Sequence, residues 1–97
     1  MKKAAPSKTH TCPVATVATL LSDVWTMRII HNLLGGTMRF CELERSLEGI
    51  STRTLTLKLK HLETEGVAEK TDAGYRLTKR GAGLRKVISS MELFGKE

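Results

Sequence analysis

Apolar residues recur at helical spacing in five stretches of this chain. Val14, Val17, Ala18 and Leu21 mark the first, and Cys12-Pro13 opens it. Proline suits the first helical position, which leaves Cys12 as the cap. Trp25, Met27, Ile29, Ile30, Leu33 and Leu34 surround the second stretch almost completely, so a helix from Val24 to Leu34 belongs at the centre of the core. Ser22 or Asp23 caps it, and Gly35-Gly36 stops it. Leu43 and Leu47 face inward from a short third helix, with Cys41 expected as its N-cap and Glu44 in the capping-box position. A fourth helix starts after Ser51, carries Leu55, Leu59 and Leu62 at i, i+4 and i+7, and ends at Gly66. The longest stripe is Leu84, Val87, Ile88, Met91 and Phe94, in a last helix that Thr78 caps and that runs through Gly81-Ala82-Gly83.

Between the fourth helix and the last, the helical period lapses. Val67 to Lys70 and Tyr75 to Leu77 are short strand candidates, with turn residues Asp72-Ala73-Gly74 between them. Thr37 to Phe40 is long enough for a single turn of strand. Glu48-Gly49 turns the third helix tightly into the fourth. Two helices so joined, the second basic and outward-facing, make a helix-turn-helix. The order of elements predicts a mainly α fold, a winged helix-turn-helix of about five helices with a short β-hairpin wing. Trp25, Ile29, Ile30, Leu33, Leu43, Leu47, Leu55, Leu59 and Leu62 are its expected core. The domain is expected over residues 12–94, after a polar basic arm (residues 1–11, with Lys2, Lys3 and Lys8) and before a short tail (residues 95–97).

The fourth helix directs the functional reading. At about 100° per residue, Arg53, Thr56, Leu57 and Lys60 point away from its apolar stripe. No acid occurs in its first ten residues. Phosphates accept such charge, and base edges in a major groove accept short donors and methyls. Arg53 is the expected base reader, since a guanidinium addresses guanine bidentately. Ser51 and Thr52, at the helix N-terminus, are placed on phosphate. Leu57 either meets a thymine methyl or packs against the next element. Lys58 falls to the flank of the stripe, where it snorkels. Lys70 and Arg76 are expected phosphate contacts, and Arg39 is either a backbone contact or simply a surface charge.

Composition agrees with a polyanionic partner. Sixteen Lys+Arg against ten Asp+Glu leave a net charge of +6 over 97 residues. A chain this short buries about 60–65% of its unfolded surface, so a dimer interface would add useful apolar burial. The last stripe is longer than so small a core covers. With the first helix it gives a candidate homodimer interface: Val14, Val17, Leu21, Leu84, Val87, Ile88, Met91 and Phe94. No apolar run approaches the about 18 residues of a membrane span, and the N-terminus lacks the apolar segment of a signal peptide. A cytoplasmic protein with reduced cysteines is expected. Aromatics at 4% argue against single-strand binding by base stacking.

Other chemistries have little to stand on. His10, Cys12, His31, Cys41 and His61 show no CxxC or HxxxH spacing, so no metal site is expected. A Gly-rich phosphate loop, a nucleophile elbow and an acid paired with histidine are all missing, so no enzyme, cofactor or small-molecule ligand is implied. Cys12 and Cys41 both fall at expected helix N-termini, where unpaired N–H groups and the helix dipole favour an anion. Thiolate is the form that oxidants and electrophiles attack. Either cysteine also serves simply as a small cap.

These residues resemble a known family. Cys12-Pro13-Val14, Trp25-Thr26, Arg39-Phe40 with Glu42-Leu43, the helix from Ile50-Ser51 to Gly66, and Tyr75-Arg76-Leu77-Thr78 with Gly81 occur in the order seen in HxlR-type winged-helix regulators of bacteria and archaea. The resemblance runs from about Cys12 to Phe94. It implies a DNA-binding transcriptional regulator, homodimeric through its first and last helices, from a prokaryote or one of its viruses. In some members a cysteine matching Cys12 senses oxidants, quinones or aldehydes, which makes Cys12 a candidate sensor thiol; Cys41 is a second candidate only from its expected place at a helix N-terminus. Two features depart from the family pattern: a hairpin with only Glu69 to Gly74 between Val67-Ala68 and Tyr75, and cysteine rather than a small polar residue at position 41. The rival reading is a winged-helix protein-interaction module with the same core and no groove contact.

Overall fold

The computed structural model describes residues 12–96. The basic arm at residues 1–11 and Glu97 in the tail lie outside the described residues. The helices are α1 (Pro13–Leu20), α2 (Val24–Leu33), α3 (Phe40–Ser46), α4 (Thr52–Thr64), α5 (Lys79–Ala82) and α6 (Arg85–Gly95). Between α4 and α5 lies an antiparallel hairpin of β1 (Ala68–Thr71) and β2 (Gly74–Leu77). This is the winged helix-turn-helix expected, with the last helical stretch in two pieces. Gly83 and Leu84 separate them, so the Gly81-Ala82-Gly83 run closes one short helix rather than lying inside a long one.

Local chemistry fixes most boundaries. Asp23 caps α2 by accepting from the backbone N–H of Trp25 at 2.8 Å and Thr26 at 3.3 Å. Ser51 Oγ accepts from Thr54 N–H at 3.0 Å to start α4. Thr78 Oγ1 accepts from Gly81 N–H at 3.1 Å and donates to the Gly66 carbonyl at 2.6 Å, tying the start of α5 to the end of α4. Cys12 is the N-cap of α1, as expected, although its side chain makes no capping bond. Cys41 is not the cap of α3. That position belongs to Arg39, whose backbone N–H donates to Glu42 Oε1 at 2.7 Å, so the box closes two residues earlier than expected and Cys41 lies within the first turn.

The core comprises Ile29, Ile30 and Leu33 of α2, Leu43 of α3, Leu47 and Ile50 of the turn, Leu55, Leu59 and Leu62 of α4, Val67 and Ala68 beside the hairpin, and Ile88 of α6. Trp25 is a partial exception to the expected core: it is half-buried against the cluster, with the Arg28 guanidinium 5.2 Å from its ring centroid. Ile88 requires a correction. Expected at a dimer interface, it is only 5% exposed and packs inside the monomer. The single stripe read from sequence is two adjacent ones. Leu84 and Ile88 turn inward, while Val87, Met91 and Phe94 remain on the surface.

The hairpin pairs Ala68 with Leu77, Glu69 with Arg76, Lys70 with Tyr75 and Thr71 with Gly74. The expected strand turn at residues 37–40 is real but minimal. Met38 pairs with Tyr75 through bonds of 2.9 and 2.7 Å. That crossing explains Gly74, which has φ +132° and where a Cβ would lie 2.6 Å from the Met38 carbonyl oxygen.

Candidate nucleic-acid interface

Two stripes of equal spacing run along α4. Leu55, Leu59 and Leu62 are buried, and α4 packs on α2 and β1. Arg53, Leu57 and Lys60 repeat the i, i+4, i+7 spacing on the opposite side, and all three are exposed. Thr56 is exposed beside them, its hydroxyl donating to the Thr52 carbonyl at 2.8 Å. Arg53 and Lys60 take part in none of the ion pairs formed among the described residues. Leu57 does not pack against the next element: it is 56% exposed. The helix therefore presents two free cations with a leucine between them.

The N-terminus of α4 is organised differently from the expectation. The Ser51 hydroxyl is engaged in the cap and also donates to Thr54 Oγ1 at 2.9 Å. The Thr52 hydroxyl donates to the carboxylate of Glu44 on α3. Of the first-turn backbone N–H groups, which lack helical acceptors, that of Thr54 is taken by the Ser51 cap. Glu44, assigned from sequence to the cap of its own helix, instead joins the two helices of the helix-turn-helix. Leu47 and Ile50 bury the turn between them, and Gly49 supplies its left-handed residue at φ +93°.

Lys58 is committed elsewhere. Its ammonium pairs with the Asp23 carboxylate, which also caps α2. The Lys58 ammonium and the N–H groups of Thr26 and Trp25 hold the Asp23 carboxyl below the usual carboxylate range, against the opposing effect of partial burial. One carboxylate thus fixes the start of α2 and the flank of α4. Thirty-five positions separate the partners in sequence, and neither shows a pairing pattern.

The other expected contacts are less available. Arg39 is exposed at the start of α3. In the wing, Arg76 Nε donates to Glu69 Oε2 across the hairpin at 2.7 Å, and the Lys70 ammonium lies 5.8 Å from the centroid of the Tyr75 ring. Glu69, Lys70, Asp72 and Arg76 cancel in charge, so this short wing contributes no positive patch of its own.

Away from α4, apolar side chains stand in the open. No residue of α1 is fully buried, and only Leu20 is half-buried against the core; Val14 is 75% exposed and Val17 is also on the surface. On α6, Phe94 is 78% exposed, with Val87 and Met91 exposed beside it. Leu21 and Leu84 are half-buried against the core. Cys12 and Cys41 are both exposed free thiols. His31 lies on the surface rather than among the core residues that flank it in sequence, 3.0 Å from Glu92. No helix among the described residues is long and apolar enough to cross a membrane.

Comparison with known proteins gives a consistent result. The profile of the HxlR-like helix-turn-helix family matches residues 20–97. An uncharacterised HTH-type transcriptional regulator of Synechocystis sp., sll1512, is 34% identical over 95 residues, covering 91% of this chain and 70% of the relative. The crystal structure of quinone-bound YodB from Bacillus subtilis superposes with a TM-score of 0.81 at 32% identity, covering 88% of this chain and 98% of that one. The redox regulator HypR in its reduced form superposes with a TM-score of 0.81 at 26% identity, covering 88% of this chain and 91% of that one.

Proposed function

The chain belongs to the HxlR-like helix-turn-helix family and is a transcriptional regulator of that type rather than an enzyme; we propose that it acts as a homodimer that binds a pseudo-palindromic DNA duplex through α4. The observation that carries this reading is the outer face of α4, where Arg53 and Lys60 are exposed and take part in none of the ion pairs formed among the described residues. A protein-docking face would instead present acids or a broad apolar surface there. Arg53 reads a base edge, and Lys60 and Thr56 serve phosphate or base contacts. The backbone N–H groups at Ser51 and Thr52 hold a phosphate. Arg39 is a backbone contact. Lys70 and Arg76 reach DNA only by giving up their partners within the hairpin, so the wing has a minor share.

Support for the dimer comes from α1. Eight residues are too few for an isolated helix to persist in water, and this one packs on its own monomer only through half-buried Leu20, with no residue fully buried. A second copy that covers Val14 and Val17 together with Val87, Met91 and Phe94 supplies the missing packing, with Leu21 and Leu84 at its edge. The protein then works in the cytoplasm, on the DNA. Selection from a random duplex pool tests both parts. It should enrich an inverted repeat with half-sites about one helical turn, roughly 34 Å, apart. Enrichment of isolated half-sites would remove the dimer, and no enrichment would leave the protein-interaction module as the better reading.

A thiol signal through Cys12 is the second part of the proposal. Its support is an exposed cysteine at the end of the helix assigned to the dimer interface, together with structural neighbours described as quinone-bound YodB and as the reduced and oxidised redox regulator HypR. Cys41, exposed in the first turn of α3, is the weaker candidate. Loss of operator binding on mild oxidation, abolished in Cys12→Ser, is the expected result. Binding indifferent to oxidant would leave both cysteines as structural residues.

A further inference from the structure

We infer that Leu57 selects the operator by contact with a thymine methyl, so that each half-site carries a thymine at one fixed position. The inference rests on the groove docking proposed for α4. A single exposed leucine is ordinary on a protein surface; its neighbours set Leu57 apart. It is 56% exposed at the middle of the α4 outer stripe, one turn after Arg53 and just before Lys60, both exposed. At about 100° per residue it lies within roughly 40° of Arg53 and 60° of Lys60 around the helix. Any duplex close enough for those two cations to reach phosphates or base edges therefore covers Leu57.

A major-groove floor is almost wholly polar. Guanine and adenine present acceptors at N7, cytosine and adenine present amino donors, and the apolar group on the base edges is the C5 methyl of thymine. A leucine pressed on any other base edge would strip water from a donor or acceptor and return no hydrogen bond. Leu57 thus discriminates in two directions: a thymine methyl gains apolar contact, and a polar edge at the same position is penalised. Arg53 and Leu57 together define a two-base signature within the half-site, guanine for the guanidinium and thymine for the leucine.

The test replaces thymine by deoxyuridine, one position at a time, in the duplex that selection from the random pool returns. Deoxyuridine removes the methyl and keeps every hydrogen-bonding group. Full-length wild-type protein should lose about fourfold in affinity at one position per half-site, the effect expected for one buried methyl-sized group. It should lose roughly the square of that when both half-sites are changed. Leu57→Ala, a surface change that should leave the unfolding transition in place, should bind the thymine duplex about as weakly as wild type binds the deoxyuridine duplex. The variant should also be indifferent to the replacement. Unchanged wild-type affinity at every deoxyuridine position would overturn the inference, as would equal sensitivity in wild type and Leu57→Ala, which would assign the methyl to another residue. If selection returns no preferred duplex, the groove docking itself fails and the inference falls with it.

Discussion

Replacing Asp23 separates two roles that one carboxylate combines. Asp23→Ala removes the acceptor of two backbone N–H groups at the start of α2 and the partner of Lys58 on α4. Loss of an N-cap costs about 1 kcal/mol, within a range of about 0.5–2. A partly exposed ion pair contributes about 0.2–1 kcal/mol. The expected destabilisation is therefore about 1–3 kcal/mol, of which the cap is the larger share. For a domain of this size each kcal/mol lowers Tm by about 4–8 °C. Asp23→Asn keeps the cap, because asparagine caps as well as aspartate, and loses only the ion pair; its cost should stay below about 1 kcal/mol. Lys58→Met should match it, and the double variant should add little, since the two changes delete one interaction. The assay is thermal or urea unfolding followed by circular dichroism, at one fixed protein concentration because a dimer makes Tm depend on it. Acid supplies an independent check. The folded carboxyl is held below its usual range, so its stabilisation is complete above the unfolded value of about 3.9 and is lost as pH falls through the folded value. The gap between wild type and Asp23→Ala should narrow only there. An Asp23→Asn variant as unstable as Asp23→Ala would refute the assignment of the cap as the larger share.

Leu59 is buried at the centre of the α4 stripe, so Leu59→Ala should cost about 2–5 kcal/mol in the same unfolding assay; a cost below about 1 would mean the site collapses freely. Gly81→Ala should destabilise at the upper end of the about 1–3 kcal/mol seen for overpacking, since the added Cβ would lie 2.1 Å from the Val67 carbonyl oxygen, which is backbone; an unfolding midpoint equal to wild type would contradict that contact. Arg53→Ala should leave the unfolding transition within about 0.5 kcal/mol of wild type and weaken specific DNA binding by about 1–3 kcal/mol. Equal affinity of Arg53→Ala for all duplexes that wild type binds would remove α4 from the groove.

Features whose cause is local were legible in the sequence. Ser51, Thr78 and Asp23 cap their helices because a short polar side chain reaches an N–H two or three residues on, and that reach is a sequence distance. Cys41 shows the limit. The cap of α3 is Arg39, whose backbone rather than side chain is bonded, and a reading that looks for a short polar residue passes over it. The two α6 stripes were merged because sequence spacing gives angles around a helix but not where the neighbouring core ends. Ile88 faces that core and Val87 does not, though they are adjacent. Contacts of long range were invisible. Lys58 with Asp23, Glu44 with Thr52, and Arg85, which donates to the Leu34 carbonyl at 3.1 Å at the end of α2, depend on how helices pack. The pairing of Glu69 with Arg76 follows from hairpin register, which the two-residue loop fixes only once the ends of β1 and β2 are known. Which residues of α4 face outward was readable, because one helix and its own periodicity determine it, but the engagement of Ser51 with Thr54 and of Thr52 with Glu44 was not.

The most direct test of DNA recognition by α4 is fluorescence anisotropy of a labelled duplex from upstream of this protein's own gene, beside its shuffled counterpart, across a series of salt concentrations with the protein reduced. The predicted result is tighter binding to the native duplex, with an affinity that falls linearly in log–log against salt at a slope near −0.9 for each phosphate neutralised. Weak binding to both duplexes, or binding with no salt dependence, would contradict it.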